Sequence, residues 1–503
     1  MSEELRKASL VELQTRMAQG ELTAQELVQV FLDAIHRLDE RLGSVIEVNP
    51  AALATAEALD QERRKGRVRG PLHGIPVLLK DNIDTDDGTL TTAGSLALVG
   101  SRPSQEATVA ARLREAGAIL MGKANMSEWA NFRSTRSTSG WSARGGQCRN
   151  PHRPSHNPCG SSSGSGAAVA AHLAPVSLGT ETDGSIVCPS AVCGIVGIKP
   201  TVGLTSRAGV IPVAHSQDTV GPMARTVADA AQVLGALVGP DGRDPATAAS
   251  QGHYHRDYTR FLDPEGLRGA RIGVPRSRFF GYHPATDAVI EQALAAMEDA
   301  GAILVDPADI PTATDDRLRE AEFQVLLTEF KHDIAAYLAT RIPLPTAELP
   351  TPRTLEDLIR FNQEYADLEM PHFGQEIFEM AQEKGGLDDP AYQEARALSR
   401  QLAAVEGLDA TLDAYQLDAL VAPTTSPAWP IDYEQGDRYL GSSSQLAAMA
   451  GYPLITVPAG FVDGLPVGIT FMGRAWSEPT LIRLAYAFEQ ATQARRPPPE
   501  FID

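Results

Sequence analysis

Residues 158–201 read PCGSSSGSGAAVAAHLAPVSLGTETDGSIVCPSAVCGIVGIKPT, and this stretch limits the fold more than any other. Two Gly/Ser-rich turns flank a run of small residues and a short apolar segment. Gly and Ser at this density permit unusual backbone angles and close approach of neighbouring chain. They also expose backbone N–H groups, which can hold an anion. A flexible linker would be polar throughout, whereas these flanks are apolar and periodic. A phosphate loop would carry G-x-x-x-x-G-K-[ST], which is absent, and GSSSGSG matches G-x-G-x-x-G only loosely.

The rest of the chain sets this stretch in an α/β frame. Capping boxes open at Ser9…Glu12 and Thr23…Glu26, and Leu27, Val30, Phe31, Ala34 and Ile35 then recur at helical spacing. An apolar run over 75–79 reads as a buried strand ending at Lys80, with Pro76 arguing against it. A helix over about 106–116 stops at Gly117, and a strand follows at 118–121. The same alternation recurs at 167–173 and 176–178, and at 286–300 and 302–305. Alternating helix and strand predicts a substantially parallel sheet covered by helices.

From about 315 to 414 helical patterns dominate, broken by Pro-rich punctuation at 343–352. This reads as a helical insertion lying over the sheet. Strand patterns return at 419–422 and 455–457, so the sheet is expected to draw on both ends of the chain. The organisation expected is one domain over 1–503, with N-terminal helices to about 65, a core over about 70–235 and the insertion.

Composition excludes several function classes. A net charge of −20 spread along the chain argues against a nucleic-acid surface, which needs a basic stripe. No apolar run reaches the ~20 residues needed to span a bilayer. The polar start shows no secretory signal. The chain is therefore expected to be soluble and cytoplasmic, with a trimmed secreted form left open. The four cysteines, Cys148, Cys159, Cys188 and Cys193, lack zinc spacing and are too few for a disulfide scaffold. They are expected to be core-lining thiols. His253 and His255 read as a solvated loop, not a metal site. No metal or organic cofactor is expected.

The segment resembles the signature of the amidase signature family. Gly160-Ser161-Ser162-Ser163-Gly164-Ser165 matches its first serine turn. Gly179-Thr180-Glu181-Thr182-Asp183-Gly184-Ser185-Ile186 matches its second, and Cys193-Gly194 with Lys199-Pro200-Thr201 completes the pattern. The family spaces its two catalytic serines as Ser161 and Ser185 are spaced. GIPVLLKDNI around Lys80, Gly122-Lys123-Ala124-Asn125-Met126-Ser127-Glu128, Gly221-Pro222-Met223-Ala224-Arg225 and Gly464-Leu465-Pro466-Val467-Gly468 extend the likeness over nearly the whole chain. Within the family the resemblance is to bacterial peptide amidases, carried by SEWANF, GWSARGGQ, TETDGSIVCP, SQDT and AWSEP.

The resemblance implies a large mixed, mostly parallel central sheet with helices on both faces. It implies hydrolysis of a peptide's C-terminal amide to free acid and ammonia through an acyl-enzyme. Ser185 would be the nucleophile, Ser161 the bridge (on a cis peptide bond) and Lys80 the base. Ser–Lys arrangements are a known alternative to histidine, and no histidine stands at the expected place in the signature. Backbone N–H groups of Thr182, Asp183, Gly184 and Ser185 would hold the oxyanion. Asp183 replaces the family's commoner glycine, and its side chain is expected to turn away. Lys123 and Lys199 read as structural, and Asp81 as ordering the site or capping a turn. Groove residues are sought in 131–140 and the insertion. The partner expected is a small-molecule or peptide amide, with no nucleic acid, membrane or obligate protein partner. The alternatives are the glutaminase subunit of a transfer-RNA-dependent amidotransferase, a broad small-amide amidase, and a binding protein that kept the fold without the chemistry.

Overall fold

Both capping boxes form. Ser9 and Thr23 accept the N–H groups of Glu12 and Glu26, whose carboxylates accept the cap N–H groups in return. They start helices α1 (Leu10–Gln19) and α2 (Ala24–Leu38). Leu27, Phe31, Ala34 and Ile35 are buried as their spacing requires. The computed structural model describes residues 2–345 and 349–501. Residues 346–348 of the Pro-rich stretch lie outside the described residues.

Among the described residues, eleven strands form one sheet. In chain order they are β1 (Val45–Val48), β2 (Pro76–Lys80), β3 (Ile119–Ala124), β4 (Val176–Glu181), β5 (Val196–Lys199) and β6 (Thr219–Ala224). They continue with β7 (Arg271–Gly273), β8 (Ile303–Val305), β9 (Ala419–Pro423), β10 (Leu454–Val462) and β11 (Leu465–Met472). Their spatial order is β1-β3-β2-β4-β6-β5-β10-β11-β9-β7-β8. β2 runs parallel to β3 and β4, and β7 runs parallel to β8 and β9. The remaining neighbours pair antiparallel. Pro76 is tolerated because it is the first residue of β2, where its missing N–H costs little.

Both faces of the sheet are covered. In β9, Ala419 and Val421 join the main core, whereas Leu420 and Ala422 join a second cluster with Val187, Leu446 and Met449. Each fully buried aliphatic side chain contributes about 1.5–3 kcal/mol. Helix α3 (Ser163–Ala170) and helix α4 (Val187–Cys193) follow the two serine turns, and every residue of both is buried. Small side chains let these helices approach the sheet closely.

The 315–414 stretch is mainly helical, with α5 (Arg317–Ala339) the longest element. One two-residue ladder, Ile342–Pro343 against Ser101–Arg102, departs from the strand-free reading. Among the described residues, no helix is long and apolar enough to cross a membrane.

Candidate active site

Lys80 ends β2, Ser161 precedes α3, and Ser185 stands between β4 and α4. Parallel pairing of β2 with β4 brings the lysine beside the strand that leads into the second turn. Lys80 Nζ lies 2.7 Å from Ser161 Oγ, 3.0 Å from Thr180 O and 2.9 Å from Thr180 Oγ1. A neutral amine has two N–H donors and one lone pair. The two Thr180 oxygens take the donors, which leaves the lone pair for the Ser161 hydroxyl. Full burial pushes the Lys80 ammonium down to about 7, against the pull of the Asp218 and Glu181 charges.

The Gly160–Ser161 peptide bond is cis. The turn is held on each side of it. Ser127 N–H donates to Ser161 O (3.1 Å), and Ser163 Oγ donates to Cys159 O (2.7 Å). Ser162 N–H donates to Ser185 O at 3.1 Å, tying the two serine turns together. Among the described residues the Ser185 hydroxyl makes no hydrogen bond, and its turn meets the first serine turn through the Ser162 N–H. Ser185 is 8% exposed.

The second turn is arranged to leave donors free. Glu181 Oε2 accepts the N–H groups of Ile186 (2.6 Å) and Val187 (3.0 Å) at the start of α4. Among the described residues, the N–H groups of Thr182, Asp183, Gly184 and Ser185 donate to no protein acceptor. Gly184 has φ +77, a conformation that side chains resist. Four unpaired N–H groups in a row can stabilise a developing oxyanion.

A cavity of about 230 Å³ reaches these groups, lined by Ser185, Gly184, Asp183, Gly160, Asn131 and Trp429 among others. A larger one of about 880 Å³ shares Asp183, Tyr439 and Ser442 with it and continues along Glu322, Phe323 and Leu326 of α5. The groove residues sought in 131–140 and in the insertion therefore include Asn131, Ser139 and this face of α5. Trp129, Ala130 and Asn131 all take left-handed φ values (48, 57 and 65), and they bring Ala130 and Asn131 to the pocket wall.

Two expectations are corrected. Asp183 does not turn away: it lines both cavities, and its carboxylate accepts the Ser444 hydroxyl. Burial raises its pKa and that of Glu322, whose shift Asp183 reinforces. Cys159 and Cys188 are not thiols. They form a disulfide with Cα atoms 6.1 Å apart, because the Ser162–Ser185 bond draws together turns far apart in sequence. Cys148 and Cys193 are buried thiols, as expected.

The other candidates are structural. Lys123 Nζ donates to Ile83 O and Thr91 Oγ1, and Lys199 Nζ to Ala447 O and Tyr452 O. Asp81 accepts from Thr92, Gly94 and Arg144 and so orders two loops. His172 is buried against Arg6 O. His253 stacks on Trp476, and His255 packs on Tyr258 and Phe261. Sequence reading missed Thr180, Asn82 and Asp218. Asn82 Nδ2 donates to Thr180 Oγ1 (2.9 Å), and Asp218 accepts the Thr182 hydroxyl (2.6 Å). Asp218 lies within SQDT, which sequence marked only as a point of likeness.

The profile of the Amidase family matches residues 26–482. The chain is 54% identical to the native peptide amidase from Stenotrophomonas maltophilia, whose X-ray structure aligns with a TM-score of 0.92, covering 98% of each chain. It is 42% identical to a probable amidase of Arabidopsis thaliana, over 98% of this chain and 92% of that one. It is 36% identical to a glutamyl-tRNA(Gln) amidotransferase chain from Chloroflexus aurantiacus, over 99% of both.

Proposed function

The chain belongs to the amidase family and is an amide hydrolase, and from that premise we propose that it is a peptide amidase, converting a peptide's C-terminal carboxamide to free acid and ammonia. One observation carries the choice of substrate. A carboxamide-sized pocket at Ser185 adjoins a cavity of about 880 Å³, far more than a small amide fills. Phe323, Leu326, Tyr439 and Leu440 give that cavity apolar surface for side chains, and Ser442 and Gln445 give it polar groups for backbone.

In the proposed reaction the Ser185 oxygen attacks the amide carbon as its proton passes to Ser161. Ser161 gives its own proton to the neutral Lys80 amine. The oxyanion forms against the N–H groups of 182–185. Losing one such donor typically costs ~3–4 kcal/mol. The tetrahedral intermediate collapses as the proton returns through Ser161 to the leaving nitrogen. Ammonia departs, since an amide anion is too basic to leave. Water then attacks the acyl-enzyme through the same relay and releases the acid.

The test of substrate class is mass spectrometry of peptide amides incubated with the purified chain. Carboxamide should become carboxylate with ammonia release and no internal cleavage. Cleavage of internal bonds, or action on small amides alone, would defeat the peptide reading. Turnover without added proteins would separate it from the transamidation-subunit reading.

The pH profile supplies a second check. Lys80 must be neutral to accept a proton, and it titrates near 7. kcat/KM should rise about tenfold per pH unit below that point and level off above it. A flat profile from acid to alkaline pH would contradict a lysine base.

A further inference from the structure

Asp218 has no part in the reaction just described, yet it touches the site twice over. It ends the 211–218 loop, and its carboxyl is buried. Oδ1 accepts the Thr182 hydroxyl at 2.6 Å, and Oδ2 accepts the N–H groups of Val213 (2.8 Å) and Ala214 (2.9 Å). The loop is anchored from α5. His215 Nδ1 lies 2.8 Å from Asp333 Oδ2, and Ser216 N–H donates to Glu329 Oε2 at 2.9 Å. Asp218, Ser161, Thr180, Thr182 and Asn82 also wall one small enclosed void. Asp218 thus shares a void with Ser161, the residue whose hydroxyl Lys80 touches.

We propose that Asp218 is a positioning residue for amide hydrolysis: it fixes Thr182 so that the donor turn stays aimed at the pocket, and it supplies the negative charge that steadies protonated Lys80. The inference rests on the relay reading above. When the relay loads a proton on Lys80, an ammonium forms where no water can solvate it, which burial disfavours. Two carboxylates face it, Asp218 and Glu181, with Asp218 the stronger influence. Glu181 is already committed to two N–H groups and to the Lys199 charge. Asp218 faces Arg207, but Arg207 is itself forked onto Asp244. Burial raises the Asp218 carboxyl to about 6, so at neutral pH it is mostly ionised and is the principal counter-charge for the loaded lysine.

The test is Asp218→Asn, whose amide oxygen can still accept from Val213 and Ala214. kcat/KM should fall tenfold or more, to roughly the extent that losing a proton-transfer aid costs. The acid limb of the profile should move down by about one pH unit, because the protonated lysine has lost the stronger of its two opposing charges. Thr182→Val should lower the rate while leaving the limb in place, and Thr182→Ser, which keeps the hydroxyl, should restore the rate. A folded Asp218→Asn enzyme with an unmoved limb overturns the electrostatic role. Equal rates for Thr182→Val and the parent overturn the positioning role, even if Asp218→Asn cannot be obtained folded. Lys80→Met tells this failure from that of the relay: turnover surviving in Lys80→Met condemns the relay, whereas its loss beside an unmoved limb in Asp218→Asn condemns only the inference drawn for Asp218.

Discussion

Ser185→Ala should lower hydrolysis of a peptide amide by about a millionfold, the scale seen when a serine hydrolase loses its nucleophile. Melting temperature should stay unchanged. The Ser185 hydroxyl makes no hydrogen bond among the described residues, and its removal leaves Ser185 O free to accept from Ser162 N–H. A serine-directed fluorophosphonate should label the parent at this residue and leave the variant unlabelled. Activity within tenfold of the parent would move the nucleophile elsewhere, with Ser161 the first candidate.

Lys80→Met is expected to cost about 10²–10⁴-fold, as for loss of a positioned acid–base group. Methionine fills similar volume and removes a fully buried amine, so packing survives. The two Thr180 oxygens lose a donor, a penalty of about 1–3 kcal/mol for a buried group, partly met by the Ser162 hydroxyl at Thr180 O and by Asn82 at Oγ1. Residual activity should also lose its dependence on pH near 7. Near-normal turnover at neutral pH would refute the relay. Circular dichroism matching the parent would show that the loss is chemical and not a failure to fold.

The catalytic candidates were legible in sequence because each lies in a local motif. The serine turns need Gly and Ser for backbone reasons, and Lys80 closes an apolar run that reads as a buried strand in spite of Pro76. Partners that act across space were not legible. Thr180 and Asp218 are ordinary letters until β4 and the 211–218 loop are placed side by side. The Cys159–Cys188 bond was hidden for the same reason, since no local pattern reports which turns will touch. Strand signals failed at the short β1 and β7 and at three strands that glycine or proline interrupts. β5, β6 and β11 carry Gly197, Gly221-Pro222 and Gly468 and were not read as strands. At Gly221 a Cβ would meet Ile198 O at 1.9 Å, so close strand approach demands the residue that erases the strand pattern. The helical insertion was visible by composition, but its contribution of Glu322, Phe323 and Leu326 to the groove depended on how α5 docks.

The position of β10 and β11 has a consequence for synthesis. This hairpin inserts between β5 and β9 and carries α4, the helix that follows Ser185. At about 5–20 residues per second, a ribosome takes on the order of tens of seconds to translate the roughly 250 residues between β5 and β10. A half-sheet formed in that interval would present β5 as a bare edge, open to wrong pairing with any other extended chain. The helix that follows Ser185 thus gains its packing against β10 and β11 only when those last strands are made.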